Sequence, residues 1–132
     1  MRRALGGEPG AARDVLTLNG GAAIYTGGGA STLAGGVALA QTLGADLIGI
    51  NNRDLHTFKT DIATTEELLR DYSGPALIVG ESGIETPEHI RRLDRAGARA
   101  FLIGESLLRG GAPRAALAPL TQALAPPGAA SR

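Results

Sequence analysis

Three short apolar runs punctuate the later part of the chain: DLIGI at 46–50, PALIVG at 75–80 and ARAFLIG at 98–104. All are rich in branched residues, the composition of buried strands. Between the first two lies TDIATTEELLRDY, where Thr64 or Thr65 is expected to cap a helix that turns Leu68 and Leu69 inward. Between the second and third lies TPEHIRRLDRAG: Thr86, followed by Pro87 and Glu88, marks a helix start, and Gly97 marks its stop. APRAALAPLTQAL then predicts a last apolar-faced helix, expected to break near Pro119, and the closing residues 126–132 are expected to be a disordered tail.

The sequence changes character near Gly44. Upstream, Val15, Leu18, Ala22 and Tyr25 recur at helical spacing over 11–25, with Gly20 and Gly21 weakening the middle of the pattern. Ser31 is a candidate cap for a second helix over 32–42, whose small-residue face comprises Leu33, Gly36 or Val37, and Ala40. These observations divide the chain into a glycine-rich helical segment at 1–43, a β/α unit at 44–125 and the tail.

Strand and helix alternating three times is the signature of α/β architecture with a parallel sheet, and a strand spacing of about 28 residues suits right-handed crossovers. Three strands cannot close into a barrel. They predict either part of an α/β fold or a minimal sheet with two edges to protect.

Composition narrows the chemistry. Thirteen basic residues balance thirteen acidic ones, so no net field draws the chain to nucleic acid or an anionic membrane. No apolar stretch approaches the roughly 20 residues of a membrane span, and no secretory signal pattern follows Met1, so a cytoplasmic protein is expected. With no cysteine, and with His56 and His89 far apart, neither a thiolate nor a histidine metal site is expected, and no cofactor is called for. Lys59 is the single lysine, so chemistry needing several amines requires another chain.

Parallel β/α folds gather functional groups beyond the C-terminal strand ends. The candidates are Asn51, Asn52, Arg53 and Asp54, then Glu81, Ser82 and Gly83, then Gly104, Glu105 and Ser106. The two glycine-containing clusters suit an oxyanion held by backbone amides, provided the Glu105 carboxylate turns away; tight turns are the alternative. Glu81 could stabilise a cationic intermediate or handle a proton, or instead form a salt bridge to Arg53. Asn51 suits a substrate hydroxyl and Arg53 a phosphate or carboxylate, with loop capping the alternative for both. Asp54 is expected to organise its loop. His56 and Lys59 read as solvated loop residues, His89 as structural, and Glu66/Glu67 and Arg91/Arg92 as solvated helix faces.

The runs GADLIGINNRDLHTFKTD, LIVGESGIETPEHIRRL and GARAFLIGESLLR, within residues 44–118, resemble the C-terminal part of indole-3-glycerol phosphate synthase. The resemblance implies a partial TIM (β/α)8 barrel, its three units matching strands six to eight. It also implies a lyase of tryptophan biosynthesis, closing 1-(2-carboxyphenylamino)-1-deoxyribulose 5-phosphate to indole-3-glycerol phosphate with loss of carbon dioxide and water. By that resemblance Asn51 and Glu81 are catalytic, Arg53 and Ser82 bind substrate, and Ser82, Gly83, Gly104 and Glu105 cradle the phosphate. The family's early-strand lysines and glutamates have no match here, which implies no turnover by the chain alone, and a homo-oligomer or a partner supplying strands. Residues 5–40 resemble the C-terminal part of anthranilate phosphoribosyltransferase on Arg13, Asp14, Leu18, Asn19, Ala22, Ala23, Leu33, Gly36, Val37, Ala38 and Ala40. That segment lacks the family's glycine-rich phosphoribosyl-diphosphate loop and metal-binding acids.

Overall fold

The computed structural model describes residues 31–124. The expected helix over 11–25, most of the 5–40 resemblance and the 126–132 tail lie outside the described residues.

The order of elements is α1 (Leu33–Thr42), β1 (Leu47–Asn51), α2 (Ala63–Leu69), β2 (Leu77–Glu81), α3 (Pro87–Ala96), β3 (Ala100–Leu102), α4 (Glu105–Leu108) and α5 (Pro113–Gln122). The strands form one parallel sheet in chain order, β1-β2-β3. Leu47 lies opposite Leu77 and Asn51 opposite Glu81, while Glu81 in turn lies opposite Leu102. The C-terminal ends of all three strands are therefore level, as parallel crossovers require. This is the expected α/β architecture, three consecutive units of a (β/α)8 barrel.

Side chains alternate across a strand. Ile48 and Ile50 of β1 and Ile78 of β2 join Leu69 of α2, Ile90 and Leu93 of α3, Leu120 of α5 and Ala40 of α1 in one buried cluster. Ile90 and Leu93, three apart on one stripe of α3, are 2% and 0% exposed, and each such burial contributes roughly 1.5–3 kcal/mol before chain entropy is counted. Leu77 of β2 and Leu102 of β3 are exposed.

Helix α3 has the expected ends. The Thr86 hydroxyl accepts from the His89 amide, Pro87 occupies the first turn, and Gly97 is left-handed at φ 117°. The amides of Gly97 and Ala98 both donate to the Leu93 carbonyl, capping the last turn.

The remaining elements differ in detail. In α1 the cap is Thr32, one residue beyond Ser31; its hydroxyl accepts from the Gly35 amide, and Gly36 and Ala40 are buried. Neither Thr64 nor Thr65 caps α2. The Asp61 side chain accepts from the Ala63 amide at 2.9 Å and starts the helix earlier, leaving Thr65 inside it and fully buried. Strand β3 contracts to three residues, because Ala98 is taken up in closing α3 and Gly104 starts the next turn. Helix α5 runs through Pro119 without interruption. Proline withholds its amide from the carbonyl four residues back, that of Ala115, and this residue is exposed, so solvent can satisfy the carbonyl. Among the described residues, no helix is long and apolar enough to cross a membrane.

Candidate functional site

The three strand ends open into a cavity of about 410 Å³. Arg53 and Thr60 line it from the segment after β1, Glu81 to Glu85 from the end of β2, and Leu102 to Ser106 from the end of β3. The structure thus brings together Arg53, Glu81, Ser82, Gly83, Gly104 and Glu105, all expected site residues.

Glu81 is the last residue of the central strand, 7% exposed, and its Oε1 has no hydrogen-bond partner among the described residues. Burial disfavours the charged carboxylate and raises its pKa above the ordinary glutamate value. The expected alternative, a salt bridge to Arg53, does not form. Arg53 turns to Glu105 instead, with Nη2 2.6 Å from Oε2. Glu105 reaches Arg109 as well, and these two guanidinium groups hold its carboxyl below the usual range, the Arg109 hydrogen bond being the larger cause.

Ser82 and Gly83 follow, both with positive φ, 63° and 71°. A Cβ on Gly83 would collide with the Thr60 methyl, so this glycine is required for space as well as conformation. Asn52 holds the turn. It is 2% exposed; its Nδ2 donates to the Ser82 carbonyl at 3.1 Å, and its Oδ1 accepts from the Thr65 hydroxyl at 2.7 Å and the Thr65 amide at 3.2 Å. The backbone of Asn52 also bridges, donating to the Glu81 carbonyl and accepting from the Asp61 amide. One buried amide thereby links the end of β1, the start of α2 and the turn after β2. On the other side the Ser106 hydroxyl donates to the Ile84 carbonyl at 2.8 Å.

Gly104 is the N-cap of α4, and a Cβ there would meet nothing within 4 Å, so this position leaves the mouth open. The short helix begins at Glu105. Asn51 is placed differently from the others. It does not line the cavity, and its Oδ1 accepts from the Arg53 amide at 3.0 Å, the loop-capping alternative.

Asp54 organises its loop as expected, its Oδ1 accepting from the amides of His56 and Thr57, which lowers its pKa. His56 and Lys59 are exposed. Nδ1 of His89 lies 3.1 Å from the Gly83 carbonyl and 3.3 Å from the Glu85 amide, packing α3 beneath the cavity turn. Glu66 and Arg92, expected as solvated, instead form a two-pronged ion pair between α2 and α3, at 2.9 and 2.6 Å.

The sequence names Asn52 among the strand-end candidates without a role and Thr65 only as a possible helix cap, and nothing in it singles out Thr60. Asn52 had one legible signal: it lies next to Asn51 at a strand end, where adjacent residues face opposite sides and one of them can turn into the protein.

Level parallel strands, helices packed against them, and a cavity at their C-terminal ends that is rimmed by Arg53, Glu81, Glu85 and Glu105 define part of a β/α barrel. A family model described as indole-3-glycerol phosphate synthase matches residues 34–120, and the chain belongs to that family. The match takes in α1, upstream of the boundary read near residue 44. The chain is similar to indole-3-glycerol phosphate synthase of Listeria monocytogenes serotype 4a (strain HCC23), 48% identical over 80 residues, which is 61% of this chain and 31% of the relative. The enzymes so named from Magnetococcus marinus (strain MC-1) and Caldanaerobacter subterraneus subsp. tengcongensis are 51% identical over 81 residues and 53% over 66, covering 61% and 50% of this chain and 30% and 26% of theirs. The match thus spans about a third or less of the length of these curated relatives.

Proposed function

We propose that the chain carries the late-strand part of a synthase site that takes 1-(2-carboxyphenylamino)-1-deoxyribulose 5-phosphate toward indole-3-glycerol phosphate. The carrying observation is Glu81: a carboxyl buried at the strand end with one oxygen unpartnered, in a cavity that also presents Arg53 and the left-handed Ser82-Gly83 turn. Such a group suits the stabilisation of a cationic, iminium-like intermediate or the handling of a proton. The resemblance assigns Asn51 with Glu81 to catalysis; outside the cavity, with its Oδ1 accepting from the Arg53 amide, Asn51 would act by setting the loop that presents Arg53. Arg53 and Ser82 are assigned to substrate binding, and Ser82, Gly83, Gly104 and the backbone of Glu105 to the phosphate.

Ring closure forms a carbon–carbon bond to the substrate's carbonyl carbon, releases carbon dioxide and expels the former carbonyl oxygen as water. The last step needs a proton donor at that oxygen. Lys59 is the only lysine and is exposed in its loop, so on this reading the chain binds substrate without turning it over. The biosynthetic role carries with it a cytoplasmic location and no cofactor. Formation of indole-3-glycerol phosphate under single-turnover conditions, with Glu81→Ala as control, tests the reading; product above background that disappears in the variant would show a complete site.

A second reading is a catalytically silent phosphate-binding module that assembles with identical copies or with a partner supplying strands. It is favoured by the sheet order, in which, among the described residues, β1 and β3 each pair with one neighbour only. Sedimentation separates the two: a compact monomer at micromolar concentration speaks against assembly. Residues 5–40 are read as phosphoribosyltransferase-like in sequence, a third and weaker reading to which no phosphoribosyl transfer is credited.

A further inference from the structure

We propose that Glu105 is a positioning residue that occupies Arg53 in place of a ligand oxyanion, so that an incoming carboxylate or phosphate must displace the Glu105 carboxylate from the guanidinium. This rests on the assignment of Arg53 to substrate binding. Among the described residues lining the cavity, Arg53 is the sole cation, whereas Glu81, Glu85 and Glu105 are all acidic. The one cationic side chain there is thus already engaged, at 2.6 Å, by a carboxylate of the chain itself.

The arrangement lets that engagement be broken cheaply. Glu105 Oε1 lies 3.0 Å from Arg109 Nη2, which lies 3.0 Å from Glu85 Oε1. The four side chains form a row of alternating charge, Arg53, Glu105, Arg109, Glu85. When Arg53 turns to a ligand, Glu105 keeps Arg109, and no charge is left without a partner. The Arg53 and Glu105 side chains are 37% and 63% exposed, so water reaches both and their pairing has the modest strength of a rim contact. Glu105 uses one nitrogen of Arg53, whereas a bound carboxylate or phosphate ester can take both prongs of the guanidinium fork, with comparable or greater charge. Glu105 therefore sets a threshold that only an oxyanion seated in the cavity overcomes.

The test is a titration of the full 132-residue chain with inorganic phosphate and, separately, with anthranilate, the two arms distinguishing the substrate's two kinds of oxyanion. Binding is followed by amide and arginine side-chain NMR shifts. Glu105→Gln should tighten binding of the oxyanion that Arg53 accepts by about two- to fivefold, the range an exposed ion pair supports. Made beside Arg53→Gln, the same substitution should change affinity by less than about 1.5-fold, because its effect runs through the guanidinium. The Arg53 Nε–H resonance should shift on Glu105→Gln without ligand, which a merely structural role for Glu105 would not produce. Unchanged or weaker binding by Glu105→Gln, or an equal gain without Arg53, overturns the proposal while leaving the oxyanion site standing. If neither anion at tens of millimolar shifts residues 82–83 or 104–106 in the parent or in Glu105→Gln, the site assignment itself falls.

Discussion

The side-chain amide of Asn52 donates to the carbonyl of Ser82 across 30 residues of sequence, and this bond holds a residue of the cavity turn in a left-handed conformation. Asn52→Ala removes that donor and also the acceptor used by the buried Thr65 amide and hydroxyl. A loss of about 2–3 kcal/mol is expected, from partners left unsatisfied away from water. Urea denaturation checks it, and a loss below about 1 kcal/mol would mean that the network relaxes around the gap.

Ser82 and Gly83 share a backbone region but differ in what surrounds them. Gly83→Ala adds a methyl group that meets Thr60 in a conformation L-residues avoid, and should cost at least about 2 kcal/mol. Ser82→Gly relieves a left-handed residue but frees the unfolded chain, and should leave stability within about 0.5 kcal/mol of the parent. Thermal melts of the two variants side by side give the contrast.

A double-mutant cycle on Glu66→Gln and Arg92→Gln should give a coupling of about 0.5–1 kcal/mol, the upper part of the range for pairs open to solvent, because the contact is two-pronged. The Arg92 hydrogen bond is the main cause holding the Glu66 carboxyl below its ordinary value of 4.5. Stability from this pair is therefore present above that value and lost as pH falls through the lowered one. Coupling that persists at a pH low enough to protonate Glu66 in both the folded and the unfolded chain would contradict the ion-pair account.

Glu81 has the opposite sign. Burial raises its pKa above 4.5, so the folded state holds this proton more tightly than the unfolded chain does. Its contribution to stability is fully present below the ordinary value and is lost as pH rises through the raised one. Glu81→Gln removes the titration, and its urea midpoint should exceed the parent's by a margin that widens between about pH 4 and about pH 8. A constant margin over that span would show that Glu81 ionises normally.

The legible features share a short range. Thr86, Pro87 and Gly97 bracket α3 through bonds spanning a few residues, and the sequence reading recovers both ends. Strand ends also carry the site to good approximation, since parallel crossovers bring Arg53, Glu81 and Gly104 to one mouth whatever the intervening helices contain. What escaped the reading depends on long-range partners. Thr65 resembles a cap until Asn52, 13 residues away, claims its hydroxyl. Glu66 reads as solvated until α3 brings Arg92 beside it. Arg53 has two acidic residues within plausible reach, Glu81 and Glu105, and only the packed geometry decides between them.

The order of strands in the sheet bears on how the chain acquires its structure. Among the described residues every ladder joins neighbours in sequence: Leu47 and Leu77 are 30 residues apart and Val79 and Ala100 are 21 apart, and no pairing there skips a strand. Loop-closure entropy grows only with the logarithm of loop length, so each new strand pays nearly the same modest toll to dock on the one before it. The sheet can thus zip in the direction of translation, each emerging unit templated by the edge just completed. Contact order stays low until a pairing must join strands remote in sequence, and a kinetic trap is expected at that step rather than within this stretch.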